Sequence, residues 1–102
     1  MKITQAREHP CITADFGGQN VWIIGGEGLR SVIRYDVRND SWDESVPYLN
    51  VARSQASACY LAGAVYVFFG MDKDTYFLNS VEKLSVSDYS HQLQQASHWE
   101  FL

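Results

Sequence analysis

The chain has 102 residues, of which 46% are hydrophobic and 14% aromatic, and this composition predicts one small folded domain and excludes a disordered chain. Its 12 acidic residues exceed its 8 basic ones, so the net charge is −4, and no basic patch is present. This charge argues against a nucleic-acid-binding protein, because such proteins neutralise phosphates with lysine and arginine. No apolar segment has the length of a signal-peptide core or a membrane span, so we expect a cytoplasmic or nuclear protein.

The first half of the chain contains four strand-like segments separated by turn residues. Residues 11–16 are followed by Gly-Gly-Gln-Asn, which favours a hairpin leading into the apolar segment 21–24. Residues 31–37 are rich in β-branched and aromatic side chains, and residues 42–46 end before a proline. Four short strands with short connections predict one antiparallel sheet.

The second half of the chain repeats the landmarks of the first in the same order. The repeated landmarks are an arginine at 7 and 53, VWIIGG at 21 and VYVFFG at 65, SVIRYDV at 31 and SVEKLSV at 80, and a tryptophan at 42 and 99. Propeller blades of four strands recur with a period of about 40–50 residues. The repeat therefore predicts two blades, about 1–49 and 50–102.

The two copies differ between their third and fourth strands, where the second copy contains the insertion SDYSHQLQQASH. Tyr89, Leu93 and Ala96 have the spacing of a short helix, whereas the serines favour a loop. We expect a loop.

A short set of residues marks the ends and turns of each copy. The first copy has Arg7 after the preceding turn, Gly25 and Gly26 after a buried strand, Tyr35 and Asp36 on the third strand, and Trp42 on the fourth. The second copy keeps Arg53, Gly70 and Trp99, but has Phe69 in place of the first glycine and Leu84-Ser85 in place of Tyr-Asp. This pattern resembles the kelch repeat. The resemblance implies an all-β fold of two four-stranded antiparallel propeller blades, forming an incomplete propeller, and a scaffold- or adaptor-type protein-interaction module.

The paired glycines do not have the spacing of a phosphate-binding loop. GGEGLRSVIRYD matches neither G-x-G-x-x-G opening a helix nor G-x-x-x-x-G-K-[ST], and β-branched residues follow it. We therefore expect these glycines to end a strand and to permit a backbone conformation or a close approach that a Cβ atom would block. Phe69 at the equivalent position then predicts an ordinary negative φ.

The repeated arginines and tryptophans each have a binding interpretation and a structural one. Arg7 and Arg53 could bind anions, but recurrence in both copies favours hydrogen bonds to backbone carbonyls. Trp42 and Trp99 could stack on a ligand, but their recurrence favours rings that fill the space between packed sheets.

The loops after the second strands differ most between the copies, and loops on a rigid scaffold commonly bind ligands. MDKDTYFLN at 71–79 combines charged and aromatic residues, which suits a protein interface. The alternative is a solvated turn whose aromatic rings pack under the neighbouring blade. The candidate partner-binding residues are Glu27, Arg30, Asp72, Lys73, Asp74, Tyr76 and Phe77.

The sequence predicts no catalytic residues, no metal site and no cofactor. His9, His91 and His98 do not form a recognisable triad or metal-binding spacing, and Asp72 and Asp74 lack the continuation of an EF-hand. The alternatives to an interaction module are a fragment of a kelch-type enzyme acting on sugars and a truncated product without independent function.

Cys11 and Cys59 could form a disulfide, but we expect two small buried side chains that stay reduced. The chain begins at one repeat boundary and stops at the end of the next repeat, so its two blades cannot close a propeller. We therefore expect either a fragment of a larger propeller or self-association that closes a ring.

Overall fold

A computed structural model describes residues 7–86 and 98–102, which form two four-stranded antiparallel sheets. The first sheet, blade one, consists of β1 (Cys11–Ala14), β2 (Asn20–Ile24), β3 (Val32–Asp36) and β4 (Ser41–Asp43) in that order. The second sheet, blade two, consists of β5 (Ser57–Leu61), β6 (Ala64–Phe68), β7 (Val81–Ser85) and β8 (Glu100–Phe101). The prediction of an all-β fold with two blade-like sheets is confirmed. Most of the predicted loop at 87–98 lies outside the described residues.

The first hairpin of each blade shows why the copies differ in length. In blade two, Ala62 and Gly63 have φ of +50° and +82° and make the two-residue turn that antiparallel strands favour. In blade one, a short 3₁₀ turn over Phe16–Gly18 intervenes, and the Asp15 N–H donates to the Asn20 carbonyl at 3.0 Å. The predicted strand at 11–16 therefore ends at Ala14.

The fourth strand of blade one is also shorter than the predicted 42–46. The Asp43 carboxylate accepts hydrogen bonds from the Ser45 N–H at 2.9 Å and the Ser45 hydroxyl at 2.6 Å. A side chain that bonds to the backbone two residues later bends the chain into a turn. The strand consequently stops at Asp43, and Val46 packs into the core from an irregular segment.

The core lies between the two blades, on one face of each sheet. Trp22 and Ile24 of β2 and Val65 and Val67 of β6 are at most 1% exposed. The alternation of side chains along a strand puts each pair on one face. Each such side chain stabilises the fold by about 1.5–3 kcal/mol through burial. The hydrophobic interface between the blades therefore contributes several kcal/mol to stability.

A buried glutamate on β7 joins blade two to the segment that connects the blades. The Glu82 carboxylate accepts hydrogen bonds from the Asn50 N–H at 2.7 Å, the Val51 N–H at 3.2 Å and the Arg53 Nε at 3.0 Å. The Glu82 and Arg53 side chains are 0% and 1% exposed. Blade one has Ile33 at the position of Glu82, so this network belongs to blade two.

At Phe69 the predicted negative φ is wrong. Phe69 has φ +61°, close to the +66° of Gly25 at the same position of blade one. The Phe69 N–H donates to the Ser80 carbonyl at 3.0 Å, and the Gly25 N–H donates to the Ser31 carbonyl at 3.0 Å. Both blades close the turn after the second strand with the same bond and the same left-handed backbone, so the conformation belongs to the turn and not to the side chain. A non-glycine residue there is strained by about 1–2 kcal/mol.

This strain predicts that Phe69→Gly is more stable than Phe69→Ala by about 1 kcal/mol, because both variants lose the ring and only alanine keeps the Cβ atom at positive φ. Urea denaturation of the two variants measures the difference. Equal midpoints would show that the backbone at this position carries no strain.

The two cysteines are free, as predicted, but only Cys11 is buried. Cys59 is exposed because it pairs with Tyr66 on the face of blade two that points away from blade one, so its predicted burial is wrong. The Cys11 thiol donates to the Ile24 carbonyl at 3.7 Å, and burial raises the pKa of this thiol to about 11. Cys11 is therefore a protonated core side chain at neutral pH.

Within the part of the chain that the structure describes, no helix is long and apolar enough to cross a lipid bilayer.

Candidate functional site

The connections β2–β3 and β6–β7 lie at one end of the two blades, which we call the loop end. Backbone hydrogen bonds tie this end together. The Glu27 N–H donates to the Glu8 carbonyl at 2.9 Å, and the Gln55 N–H donates to the His9 carbonyl at 2.9 Å across the two blades. Ser54 and Met71 exchange two bonds at 3.0 and 2.8 Å. Loops that start from this end therefore rest on a rigid base.

Asp72 organises the loop at 71–79. Its Oδ1 atom accepts hydrogen bonds from the Asp74 N–H at 2.8 Å and the Tyr76 N–H at 3.0 Å. The Asp72 N–H donates to the Tyr76 carbonyl at 3.0 Å, and Thr75 has φ +66°. One carboxylate thus replaces the water that would otherwise satisfy two backbone donors. In the sequence, the only sign of this role is that Asp72 stands two residues before Asp74 and four before Tyr76, whose N–H groups it binds.

Tyr76 and Phe77 project from this organised loop into solvent. Their side chains are 72% and 88% exposed, and an antiparallel bridge between Met71 and Phe77 closes the base of the loop. Neither ring packs under blade one, so the alternative of a turn with buried aromatics does not describe this loop. Lys73 and Asp74 are exposed beside them. The loop therefore presents two aromatic rings and two opposite charges on a fixed backbone.

The shorter loop of blade one carries the other two candidate residues, Glu27 and Arg30, and both are exposed. The Arg30 Nε donates to the Leu49 carbonyl at 2.8 Å, and the Leu49 N–H donates to the Arg30 carbonyl at 2.8 Å. Arg30 thus fixes the segment between the blades, a role that its place in a loop did not reveal. Both residues remain candidates for contact with a partner, and Arg30 also stabilises the junction of the blades.

The two repeated arginines make the same bonds in both blades. The Arg7 Nη1 donates to the carbonyls of Gly25 at 2.7 Å and Ser31 at 2.9 Å. The Arg53 Nη1 donates to the corresponding carbonyls of Phe69 at 2.8 Å and Ser80 at 3.0 Å. These are the carbonyl bonds that recurrence favours, and they use the groups that would otherwise hold an anion.

The remaining motif residues of blade one shape its third turn. The Tyr35 hydroxyl donates to Asp40 Oδ1 at 2.6 Å, and this bond raises the pKa of Tyr35. The Asp36 carboxylate accepts from the Asn39 side-chain amide at 2.9 Å and the Asn39 N–H at 3.2 Å, and these bonds lower the pKa of Asp36. Tyr35 and Asp36 therefore hold the turn between β3 and β4.

The two repeated tryptophans differ in burial. Trp99 is 1% exposed, and its Nε1 donates to the Pro47 carbonyl at 2.9 Å, so the ring fills the space between the blades as predicted. Trp42 is half-buried and packs against Tyr35 with ring centroids 4.7 Å apart. Of these two tryptophans, Trp99 alone lies between the two described sheets.

Gly26 and Gly70 pack against the first segments of their own blades. A Cβ atom at Gly70 would lie 2.7 Å from the Ser54 carbonyl oxygen, and one at Gly26 would lie 3.3 Å from the Glu8 carbonyl oxygen. Close approach to the backbone therefore explains why both blades have glycine at this position, Gly26 and Gly70. Among residues 7–86 and 98–102, no three His, Cys, Asp or Glu side chains are grouped closely enough to hold a metal ion.

No protein-family model matches the chain. Over 89 residues the chain is 36% identical to an F-box/kelch-repeat protein of Arabidopsis thaliana, and the match covers 83% of this chain and 27% of that protein. The chain therefore spans about a quarter of the length of this relative. The match indicates a relationship to kelch-repeat proteins.

Proposed function

We propose that this chain is a kelch-type protein-interaction module, of the scaffold or adaptor kind, and that the loop at 71–79 binds its protein partner. The observation that carries the proposal is the exposure of Tyr76 and Phe77, at 72% and 88%, on a loop whose backbone Asp72 holds in place. The kelch-repeat relative supports an interaction function in general.

The energetics of interfaces favour this site over the rest of the loop end. Aromatic side chains bury a large area with few rotatable bonds, and a few such residues carry most of the binding energy of an interface. A loop that is already ordered loses little conformational entropy when it binds. Lys73 and Asp74 precede the rings in the same loop, are exposed, and would pair with charges on the rim of a partner. We also propose that the module acts in the cytosol or the nucleus.

Pull-down with the full chain as bait, followed by mass spectrometry, tests this proposal. We expect Tyr76→Ala/Phe77→Ala to lose the specific partner, with a drop in affinity of at least about 30-fold, because each buried aromatic anchor contributes about 1–2 kcal/mol or more. Asp72→Ala is expected to weaken binding less, since it keeps both rings and loosens the loop. Tyr48→Ala is the matched control, because Tyr48 is 58% exposed on the segment between the blades.

Retention of the same partners by the double variant would remove the loop as the binding site. Equal losses in the double variant and in Tyr48→Ala would place the interface elsewhere on the module. Far-UV circular dichroism of each variant shows whether the blades are intact.

A further inference from the structure

The outer face of blade two, which points away from blade one, repeats the face that blade one buries. Tyr66 and Phe68 occupy the positions of Trp22 and Ile24, which are 0% and 1% exposed in the core. Tyr66 and Phe68 lie on the opposite side of β6 from Val65 and are half-buried. Blade two therefore presents a second copy of an interface that the chain already uses once.

Each of these two faces also has a cationic side chain above its aromatic ring. Arg34 lies over the Trp22 ring, with Cζ 5.8 Å from the ring centroid. Lys83 lies over the Tyr66 ring, with Nζ 5.8 Å from the centroid. Lys83 and Tyr66 are direct cross-strand partners, as are Arg34 and Trp22. The equivalence of the two faces thus extends to their polar groups.

The outer face of blade one matches the face with which blade two packs on blade one. Val21 and Ile23 occupy the positions of Val65 and Val67, which are 0% exposed in the core, but are themselves only half-buried. Ile12, which pairs with Ile23, is 61% exposed. At the positions of Val65 and Val67, the outer face of blade one is therefore as apolar as the face with which blade two packs on blade one.

The turn after the second strand departs from this match. In the existing interface the Gly26 N–H donates to the Arg53 carbonyl at 2.8 Å, and a Cβ atom at Gly25 would lie only 2.6 Å from that oxygen. Real Cβ atoms do not come so close to a backbone oxygen. Phe69 holds the position of Gly25 with nearly the same φ, and it has a Cβ atom. A blade that docks on blade two must therefore keep its arginine carbonyl further away than Arg53 is from Gly25.

We propose that the outer face of blade two receives blade one of a second copy of this chain, head to tail, and that Phe69 weakens this contact. The occupant follows from the interface between the two blades, because the incoming blade one offers apolar Val21 and Ile23 at the positions of Val65 and Val67, which blade two already packs on blade one. The Phe69 Cβ atom prevents the incoming Arg7 segment from taking the place that Arg53 takes on Gly25. The stacking is thus reversible in the natural sequence and tightens when Phe69 is glycine.

Sedimentation velocity over a range of concentrations tests the role of Phe69. We expect wild type to associate reversibly and Phe69→Gly to lower the dissociation constant by about tenfold, which corresponds to 1.4 kcal/mol. Phe69→Ala keeps the Cβ atom and is expected to stay close to wild type, which separates the clash from the loss of the ring. Monomeric behaviour of both wild type and Phe69→Gly at all concentrations would overturn the proposal.

Complementation between two variants tests the head-to-tail geometry. Ile12→Glu blocks the outer face of blade one, and Tyr66→Glu blocks the outer face of blade two while leaving Lys83 a carboxylate partner. Each variant alone is expected to be monomeric, and an equimolar mixture is expected to form a 1:1 dimer that grows no further. Association of either variant alone, or no dimer in the mixture, would contradict the proposal. Serine at the same positions replaces glutamate if circular dichroism shows that a glutamate variant does not fold.

Discussion

Glu82→Ile is expected to lower the free energy of unfolding by about 3–5 kcal/mol, the largest effect of any single substitution considered for this chain. The change places in blade two the residue that blade one has at this position. It leaves the Arg53 guanidinium, 1% exposed, without its carboxylate, and it removes the acceptor of the Asn50 and Val51 N–H groups. An uncompensated buried charge costs more than the ion pair itself contributes. Chemical denaturation measures the loss.

The ion pair between Arg34 and Asp43 provides the control for Glu82. Its side chains are 23% and 29% exposed, and its atoms are 3.2 Å apart. Asp43→Asn is expected to cost about 1 kcal/mol or less, because a pair that keeps contact with solvent contributes far less than a fully buried one, and asparagine keeps an oxygen that can accept the Ser45 bonds. Similar losses for Glu82→Ile and Asp43→Asn would mean that burial does not strengthen the Glu82 network. Small domains have a total free energy of unfolding of only about 5–15 kcal/mol, so the loss expected for Glu82→Ile would remove a large part of it.

Gly25→Ala is expected to cost about 3 kcal/mol or more and to loosen the contact between the blades. Two effects add at this position. The φ of +66° strains any residue with a Cβ atom, and that Cβ atom would lie 2.6 Å from the Arg53 carbonyl oxygen. The clash is with backbone, which cannot rotate away as a side chain can. Denaturation midpoints and the near-ultraviolet circular dichroism of the core tryptophans measure the two consequences.

Gly28→Ala separates the strain at Gly25 from the clash. Gly28 has φ +73°, but a Cβ atom there would have no neighbour within 4 Å. We therefore expect Gly28→Ala to cost only about 1 kcal/mol, the contribution of the left-handed backbone. A Gly25→Ala variant as stable as Gly28→Ala would show that the blades can move apart at no cost, and it would also remove the reason for assigning Phe69 a role in blade stacking.

The repeated pattern of residues predicted the elements and the connections that depend on local chemistry. Val65 and Val67 alternate with Tyr66 along β6, and this period of two places the two valines on one face of the sheet and the tyrosine on the other. The glycine after Ala62 permits the tight hairpin of blade two. The ends of the predicted strands were wrong where side chains bond to nearby backbone, as Asp43 does with Ser45. Such bonds depend on rotamers, which a pattern of hydrophobic and polar residues does not encode.

The candidate loop was predictable as a location but not as an arrangement. The aromatic residues at 76 and 77 are visible in the sequence, whereas their exposure depends on the bonds that Asp72 makes to the loop backbone. Arg30 is exposed as a surface candidate should be, but its bond to the Leu49 carbonyl at the junction of the blades was not visible in the sequence. A charged side chain in a loop has many possible partners, and only the packed chain selects among them.

The sequence by itself determined that this protein consists of one small antiparallel sheet repeated twice, because strand periodicity and turn residues act over a few neighbouring positions. Only the tertiary structure decided which face of each sheet is buried, that Glu82 binds the segment between the blades, and that Phe69 adopts a glycine conformation. These outcomes depend on contacts between residues far apart in the chain, such as the 29 positions from Arg53 to Glu82. Packing sets their geometry, and it outweighs the local preference of a side chain such as phenylalanine for negative φ.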